Sequence, residues 1–517
     1  MKELVYNRLL LPAVERNADR IGFYEGDYTA TFAQHLERVT RLAGALPSLG
    51  IGREDRFAVM ALNSHHLVEC YHAAFLGAGV INPLNLRLAP KELEYILGDS
   101  ETNVCFVDAF FAPIIDKVRS AVGLEHVVMI GAGDAPHDVT YDELLANATS
   151  RTPDEPEEDD PVVLMYTGGT TGLPKGVLLD QRAEMLNLYH VMNMWRFDAD
   201  DVYLHQTPMF HAASMGGILG TPIQGSISVI LSLFDPARAM ELIEQYGVTA
   251  TVMVPTMIGM MINHPQFRPE RLASLRWLTY GASPMPAAIL EKLLEEFPTL
   301  DLYQGYGMTE CSAVLTALGP HEHRVAGPRL RSAGRALPGV ALTIQDPDGN
   351  TLPPGETGEV CARGGNFMRE YWKQPEATAD AFRGGWYHSG DAGYLDSEGY
   401  LFLVDRVKDM IVTGGENVYS VEVENALASH SEVLQVAVIG IPSDQWGEAV
   451  HAIVVVREGA TVTDDELIAH AREWIAGYKV PKSVKIQTEP LPLSGAMKVL
   501  KRELRAPYWE GHERGVN

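Results

Sequence analysis

The segment that decides the fold reads Tyr166-Thr167-Gly168-Gly169-Thr170-Thr171-Gly172-Leu173-Pro174-Lys175-Gly176. It continues from residues 161–166, an apolar run typical of a buried strand. Glycines let backbone amides turn toward an anion and the threonine hydroxyls add donors, so the segment predicts a phosphate-binding loop. It is not a Walker A loop, because that motif requires Gly-Lys-Ser/Thr where this chain has Pro174-Lys175-Gly176. A flexible surface loop is the alternative interpretation of the segment alone.

The chain around this loop is long enough for at least two domains, because its 517 residues exceed the ~250–300 at which one hydrophobic core stops growing. Helical and strand patterns alternate before the loop, with a helix predicted at residues 32–46 and a strand at 56–62. Short β segments begin near residue 331, and helices and strands follow residue 409. The predicted fold class is α/β, with a large N-terminal domain of doubly wound α/β sheets plus a β-rich subdomain, and a small C-terminal α+β domain.

The composition excludes several classes of function. Lys and Arg number 41 against 68 Asp and Glu, and the net charge of −27 disfavours binding to nucleic acid or anionic membranes. The four cysteines lie far apart without zinc-ligand spacing, which fits a reducing compartment. No signal-peptide pattern is present, and the uncharged stretches 202–234 and 245–267 are interrupted by proline. We expect a cytoplasmic protein without a transmembrane segment.

Further motifs follow the loop in a fixed order. They are Gly281-Ala282-Ser283-Pro284, Tyr306-Gly307-Met308-Thr309-Glu310, Tyr387-His388-Ser389-Gly390-Asp391, Asp405-Arg406-Val407-Lys408-Asp409, Gly414-Gly415-Glu416-Asn417 and, near the end, Lys498. With the loop, this series resembles the adenylate-forming superfamily, which includes acyl-CoA synthetases, luciferases and peptide-synthetase adenylation domains. The resemblance covers essentially the whole chain. It implies an N-terminal adenylation domain at residues 1–404, a hinge at 405–408 and a mobile C-terminal domain at 409–517.

The resemblance also implies how ATP is held. Glu310 is expected to bind Mg²⁺ and Thr309 to contact the same phosphates, while Asp391 accepts from the ribose hydroxyls. Tyr306 is expected to offer its ring to adenine. The implied nucleotide-binding set comprises Thr167, Gly168, Gly169, Thr170, Thr171, Lys175, Gly281, Ala282, Ser283, Tyr306, Gly307, Met308, Asp391 and Arg406.

In this family a C-terminal lysine stabilises charge in the adenylation step, and Lys498 occupies its position. The residue before it is Met497 where the family usually has glycine, so Gly495 is the alternative source of flexibility. Lys501 is the other candidate lysine. Lys408 is the implied hinge, about which the small domain rotates between the two half-reactions. The thiol tunnel is expected at Gly414, Gly415, Glu416 and Trp446.

The acyl pocket is predicted between the loop and the adenine motif. Residues 208–217 resemble the family's aromatic gate, in which His211 separates the acyl pocket from the thiol tunnel. Residues 253–261 predict an adaptable apolar wall. The expected pocket residues are Met209, Met215, Gly216 and Met257. No Lys or Arg occurs there to pair with a second carboxylate, so the substrate is predicted to be an apolar monocarboxylate, aliphatic or aryl.

The sequence therefore predicts an ATP- and Mg²⁺-dependent acid–CoA ligase that forms an acyl-adenylate and transfers the acyl group to coenzyme A. A ligase that loads a separate carrier protein is the first alternative, because no fused carrier segment is expected after residue 498. A luciferase-like second step and a non-catalytic homologue are the others. The oligomeric state stays open, with a homodimer among the alternatives.

Overall fold

The computed structural model describes residues 3–167, 173–283, 285–325, 327–406, 409–413, 416–443 and 445–510, without the side chains of residues 405, 406 and 417. It is a mixed α/β protein with a large N-terminal domain and a smaller C-terminal domain. The predicted fold class is confirmed.

The helices of the described residues cover the faces of the sheets and join successive strands. They are α1 (Asn7–Asn17), α2 (Phe32–Ala45), α3 (His65–Ala73), α4 (Pro90–Asp99), α5 (Ala112–Val122), α6 (Tyr141–Asn147), α7 (Gln181–Trp195), α8 (Met215–Gln224), α9 (Pro236–Tyr246), α10 (Pro255–Ile262), α11 (Ala287–Glu296), α12 (Pro320–Val325), α13 (Pro375–Ala381), α14 (Ser420–Ala428), α15 (Asp464–Trp474) and α16 (Lys501–Trp509).

The strands of the described residues are mostly short. They are β1 (Ile21–Glu25), β2 (Tyr28–Thr31), β3 (Arg56–Met60), β4 (Val80–Pro83), β5 (Val104–Asp108), β6 (His126–Ile130), β7 (Val139–Thr140), β8 (Pro161–Thr167), β9 (Lys175–Asp180), β10 (Val202–His205), β11 (Ile227–Ile230), β12 (Ala250–Met253), β13 (Trp277–Gly281), β14 (Asp301–Tyr306), β15 (Thr316–Leu318), β16 (Arg335–Ala336), β17 (Ala341–Gln345), β18 (Gly358–Arg363), β19 (Glu370–Tyr371), β20 (Tyr387–Leu395), β21 (Leu401–Arg406), β22 (Ile411–Thr413), β23 (Glu416–Val418), β24 (Val433–Ser443), β25 (Gly447–Val456) and β26 (Ser483–Gln487).

Two large sheets form the N-terminal domain. One has the strand order β16-β15-β14-β13-β12-β10-β11-β1-β2, and the other has the order β19-β9-β8-β4-β3-β5-β6-β7. Strands β10 to β14 pair in parallel, as expected where helices cross over between successive strands. The carboxyl ends of these strands therefore meet at one edge, where open α/β sheets bind their ligands.

Helix α7 lies between the two large sheets. Its Met185 and Leu188 pack in a core with Val59 and Val163 of the second sheet. One to two turns further on, Val191 and Trp195 pack in a different core, against the first sheet. A helix that is buried on opposite faces positions both sheets relative to each other.

Two smaller sheets follow. Strands β17, β18, β20 and β21 form an antiparallel sheet, which matches the predicted β-rich subdomain. Strands β22 to β26 form the last sheet, with α14 and α15 packed on it in one apolar core. No helix among the described residues is long and apolar enough to cross a membrane. The uncharged stretches at 202–234 and 245–267 instead contain the buried elements β10, α8, β11, β12 and α10.

One buried carboxyl group in α7 lacks a partner. Glu184 is 1% exposed, and neither of its carboxylate oxygens has a hydrogen-bond partner in the part of the chain that the structure describes. Burial, with a smaller contribution from Asp180, raises the pKa of Glu184 to about 8. At neutral pH this side chain is therefore protonated, because a buried unpaired carboxylate is costly.

We expect Glu184 to make the protein less stable as pH rises. Between the ordinary pKa near 4.5 and about 8, the folded protein binds a proton that the unfolded chain has lost, so stability falls with rising pH across this window. Glu184→Gln should reduce the loss of Tm between about pH 6 and about pH 9. Glu94→Gln, at an exposed position of α4, is the control. An equal loss of Tm in wild type and Glu184→Gln contradicts the prediction.

Candidate active site

A cleft opens at the carboxyl ends of β12, β13 and β14 and extends to the C-terminal domain. Its volume of about 4080 Å³ exceeds the ~300–1,000 Å³ of a pocket for one small ligand, so it has room for several. Side chains from both domains line it, among them Tyr306, Glu310 and Lys498.

Small residues allow the strand ends to pack closely at the cleft. Gly281 pairs with Gly305 across β13 and β14, and a Cβ at Gly281 would overlap the Gly305 carbonyl oxygen. A Cβ at Gly307 would overlap the carbonyl oxygen of Ala313. Ala282 has φ 66°, a left-handed conformation that is uncommon for a residue with a side chain. The turns after both strands therefore depend on small side chains.

Tyr306 and Asp391 come from different sheets and meet in the cleft. The Tyr306 hydroxyl donates to Asp391 Oδ2 at 2.7 Å. Burial, followed by the Asp391 charge, raises the pKa of Tyr306 well above its ordinary value, so the phenol stays a donor. A carboxylate has about four lone-pair directions, so Asp391 can accept further hydrogen bonds. The predicted adenine and ribose residues are thus side by side.

The loop of Asp391 is supported from behind by Glu359. Its Oε1 accepts from the Gly390 amide at 3.0 Å, and its Oε2 lies 2.8 Å from His388 Nδ1. Arg383 forms an ion pair with the same carboxylate. One possible metal-ligand atom from each of Glu359, Cys361 and His388 lies within 4.8 Å of the other two. However, burial raises the pKa of the Cys361 thiol to about 12, and a protonated thiol is a poor metal ligand.

Glu310 follows β14 in the chain and lines the same cleft as Asp391. The Tyr371 hydroxyl donates to Glu310 Oε1 at 3.0 Å, and the Lys175 ammonium lies 4.7 Å from the Tyr371 ring centroid. Glu310, Thr309 and Lys175 line the same cleft. The group combines a hard oxygen donor, which suits Mg²⁺, with a cation close to the phosphate-binding loop.

The C-terminal domain contributes the lysine turn, which we define as residues 494–498. The Met497 amide donates to the Ser494 carbonyl at 2.9 Å, and the Ser494 amide donates to the Lys498 carbonyl at 2.7 Å. A Cβ at Gly495 would overlap Asn85 Oδ1 and lie 3.0 Å from Phe210 Cζ. Gly495 is therefore needed for close approach to the N-terminal domain, rather than for a left-handed conformation.

Met497 takes the left-handed conformation instead, with φ 60°. Its side chain packs against an apolar core of the N-terminal domain that contains Met257 and Leu290. Beside the turn, Arg87 Nη1 donates to the Leu493 carbonyl. The lysine turn is thus held to the N-terminal domain by polar and apolar contacts, at the cost of a strained residue.

His211 faces the cleft that Lys498 also lines. Burial, followed by the Lys498 charge, lowers the pKa of His211 to about 3, so the imidazole is neutral. Its Nδ1 accepts from the Ala213 amide at 3.2 Å, which leaves the proton on Nε2. His211 therefore presents one fixed N–H donor.

Lys501, the alternative lysine, has other contacts. Its Nζ lies 2.6 Å from Glu424 and donates to the Ser420 hydroxyl at 2.6 Å. Both partners belong to α14 of its own domain. This geometry supports Lys498 over Lys501.

Three predicted pocket residues are corrected by the structure. Met209, Met215 and Met257 are fully buried in cores and do not line the cleft. In α10, Thr256, Gly259 and Met260 face the cleft while Met257 faces the core, because residues three to four apart share a helix face. Gly216 does line the cleft.

Of the predicted thiol-tunnel residues, Trp446 lines the cleft and is 42% exposed. Glu416 is exposed on the short strand β23 and does not line it. Gly168, Gly169, Thr170, Thr171, Lys408, Gly414, Gly415 and the Arg406 side chain lie outside the described residues. The remaining predicted nucleotide residues, Thr167, Ser283 and Met308, line the cleft.

Several lining residues were not predicted from the sequence. They are Asn85, Asn187, Val191, Trp195, Thr279 and Tyr371. Each lies outside the recognisable motifs, and only the pairing of strands and the packing of α7 bring it to the cleft.

Comparisons with known proteins agree with this geometry. The AMP-binding enzyme family matches residues 11–372, and the AMP-binding enzyme C-terminal domain matches residues 422–498. A feruloyl-CoA synthase from Amycolatopsis sp is 38% identical over 485 residues, covering 93% of this chain and 95% of that protein. The fatty acid–[acyl-carrier-protein] ligase ScoC of Streptomyces coeruleorubidus is 34% identical over 495 residues, covering 95% and 93%.

A similar solved structure is that of o-succinylbenzoate CoA synthetase (MenE) from Bacillus subtilis in complex with the acyl-adenylate intermediate OSB-AMP. It superposes with a TM-score of 0.84 at 29% identity and covers 96% of this chain and 97% of that one. The fold and the cleft thus define an adenylate-forming enzyme. The chain belongs to the AMP-binding enzyme family and is an acid–thiol ligase of the AMP-forming kind, which uses ATP.

Substitutions at Met497 should separate the strain of its backbone from the packing of its side chain. Met497→Ala keeps the left-handed backbone and loses the apolar contact, so ATP–pyrophosphate exchange should fall several-fold. Met497→Gly loses the same contact but relieves about 1 kcal/mol of strain, so its exchange rate should lie closer to wild type. Slower exchange in Met497→Gly than in Met497→Ala would contradict the inference that glycine relieves backbone strain at this position.

Proposed function

We propose that this enzyme converts an apolar monocarboxylic acid and ATP to an acyl-adenylate and pyrophosphate, and then transfers the acyl group to the thiol of coenzyme A. The observation that carries the proposal is the presence of Lys498 in the same cleft as His211, Glu310 and the Tyr306–Asp391 pair. These groups come from segments up to about 290 residues apart in sequence. Because these groups meet in one cleft, the adenine, the ribose, the phosphates and the substrate carboxylate would each have a side chain to contact.

Each group has a proposed role in holding ATP. The Tyr306 ring, fixed through its hydroxyl to Asp391, stacks on adenine, and Asp391 accepts from the ribose hydroxyls. Glu310 would hold Mg²⁺, which would neutralise the phosphate charge, and Thr309 would contact the same phosphates. Lys175 adds a cation at the end of the phosphate-binding loop.

Lys498 is proposed to act where charge develops. Its ammonium is placed to contact the attacking carboxylate and the α-phosphate, and to stabilise the charge that builds between them. Neutral His211 orients the carboxylate through its Nε2–H donor without adding a second positive charge beside Lys498. The docked lysine turn excludes water from the mixed anhydride, which is prone to hydrolysis.

Thiol transfer requires a second arrangement. The space that Lys498 occupies during adenylation is the space through which a thiol reaches the acyl carbon, so the C-terminal domain is proposed to rotate about residues 405–408. Trp446, already at the rim of the cleft, and residues 414–416 are proposed to line the path of coenzyme A in that second arrangement.

A separate carrier protein is the second candidate for the thiol, because one relative of 34% identity is a fatty acid–[acyl-carrier-protein] ligase. Both thiols end in the same chemical group, so the residues that form the adenylate do not distinguish them.

Replacing Lys498 should separate the two half-reactions. We expect Lys498→Ala to slow acid-dependent pyrophosphate release on the order of 100-fold or more, because a preorganised cation at the reacting centre is lost. The same variant should still convert a supplied acyl-adenylate and coenzyme A to the thioester. Lys501→Ala, whose lysine pairs with Glu424, is the matched control and should retain adenylation. Undiminished pyrophosphate release in Lys498→Ala contradicts the assigned role.

The acceptor thiol can be tested directly. With ATP, Mg²⁺ and an acid that gives pyrophosphate release, we expect coenzyme A to be converted to its thioester, as measured by chromatography. Free phosphopantetheine and a purified acyl carrier protein serve as competing acceptors. Acid-dependent pyrophosphate release that gives a thioester only with the carrier protein would favour the second candidate.

A further inference from the structure

A two-residue strand beside the phosphate-binding loop fixes the position of Tyr371. Strand β19 pairs with β9, with Tyr371 opposite Val177. The Trp372 amide extends this pairing by donating to the Gly176 carbonyl at 2.7 Å. The Tyr371 amide donates to the Thr378 hydroxyl at 3.0 Å. The Tyr371 side chain is 7% exposed and packs in a core of the N-terminal domain, so its ring and hydroxyl have little freedom to move.

The ring of Tyr371 contacts a cation of the nucleotide site. Lys175 is the first residue of β9 and lies two residues before Val177, so both side chains are on the same face of the strand. The Lys175 ammonium lies 4.7 Å from the Tyr371 ring centroid, within the ~6 Å at which an aromatic face attracts a cation. The ring thus holds the ammonium at the end of the phosphate-binding loop.

The hydroxyl of the same side chain contacts the proposed metal ligand. It donates to Glu310 Oε1 at 3.0 Å, across 61 residues of sequence. The segment before Tyr371 also fixes the backbone of Glu310, because the Met368 amide donates to the Glu310 carbonyl at 2.7 Å. The main chain and the carboxylate of Glu310 are therefore both held by residues 368–371. A carboxylate has about four lone-pair directions, so a hydrogen bond of this kind is compatible with metal binding.

We propose that Tyr371 is a positioning residue for adenylation, which orients Glu310 toward Mg²⁺ with its hydroxyl and keeps Lys175 beside the phosphates with its ring. Metal-ligating side chains are commonly oriented by a hydrogen bond from a residue that does not touch the metal. A single buried side chain that contacts both groups sets their separation before ATP enters. The inference rests on the proposed function, in which Glu310 would hold Mg²⁺ and Lys175 would contact the phosphates.

The test measures nucleotide binding rather than turnover. The ligand is α,β-methylene-ATP, which cannot release pyrophosphate, and its Kd is measured by calorimetry in Mg²⁺ and in EDTA. We define the metal effect as the ratio of the Kd in EDTA to the Kd in Mg²⁺. Tyr371→Phe keeps the ring and loses the hydroxyl, so it should lower the metal effect about tenfold and leave the Kd in EDTA unchanged. A general loss of stability would change the fraction of protein that binds, and not this ratio.

Two further variants show whether the hydroxyl acts through Glu310. Tyr400→Phe is the matched control, because it removes a hydroxyl that donates to Glu322 Oε1 at 2.7 Å, and neither residue is among those that line the cleft. Its metal effect should equal that of wild type. Glu310→Gln removes the charge of the ligand itself and should lower the metal effect. Adding Tyr371→Phe to Glu310→Gln should cause no further loss, because residues that act as one unit are not additive.

The role of the ring is tested by Tyr371→Leu, which loses both the hydroxyl and the aromatic face. Its Kd in EDTA should be about threefold weaker than that of Tyr371→Phe, because Lys175 loses the ring that holds it. In a Lys175→Ala background the two variants should bind the analogue equally in EDTA. Equal binding by Tyr371→Phe and Tyr371→Leu with Lys175 present would overturn the assignment of the ring.

The outcomes separate this inference from the proposed function. An equal metal effect in wild type and Tyr371→Phe would overturn the inference and leave the proposed function standing. A further loss when Tyr371→Phe is added to Glu310→Gln would also overturn it, since the hydroxyl would then act elsewhere. If Mg²⁺ does not change the Kd of the wild-type protein, the metal role of Glu310 in the proposed function is wrong, and the inference is overturned with it.

Discussion

The docking of the lysine turn against the N-terminal domain is the contact on which the site depends. Residues 493–498 reach Asn85, Arg87 and Phe210, which are more than 280 residues away in sequence. The close approach requires Gly495, and the turn that follows places Met497 in a left-handed conformation. The Met497 side chain packs against the N-terminal domain, and Arg87 donates to the Leu493 carbonyl beside the turn. Such a contact is compatible with the proposed rotation of the C-terminal domain between the two half-reactions.

Charge is distributed so that an anion can be bound by an acidic protein. The whole chain carries a net charge of −27, so long-range attraction does not bring a triphosphate to it. Cations are instead concentrated at the cleft, with Lys175 on the ring of Tyr371 and Lys498 near His211. The low pKa of His211 follows from the same arrangement, because a buried imidazole beside an ammonium stays neutral.

Helix α7 connects the two large sheets beside the cleft. Because it is buried between the two large sheets, the residues at its C-terminal end cannot move outward without disturbing both cores. Trp195, which lines the cleft, is therefore held in place by its core. The motifs predicted to bind the nucleotide lie on loops at strand ends, whereas residues of α7 and of the strands line the same cleft from regular elements.

The sequence by itself determined the fold class and the family, and it predicted the residues of the nucleotide site, because phosphate, metal and ribose require particular side chains in short motifs. It also located α10 as a wall of the cleft, but chose Met257, which faces the core. It identified the position of Lys498 and the unusual Met497, yet assigned the flexibility to Gly495. Only the tertiary structure decided that Met497 takes the left-handed turn and that Trp195 and Thr279 line the cleft. Both depend on which residues face each other across separate helices, strands and domains. A local sequence pattern does not predict packing between residues so far apart in the chain.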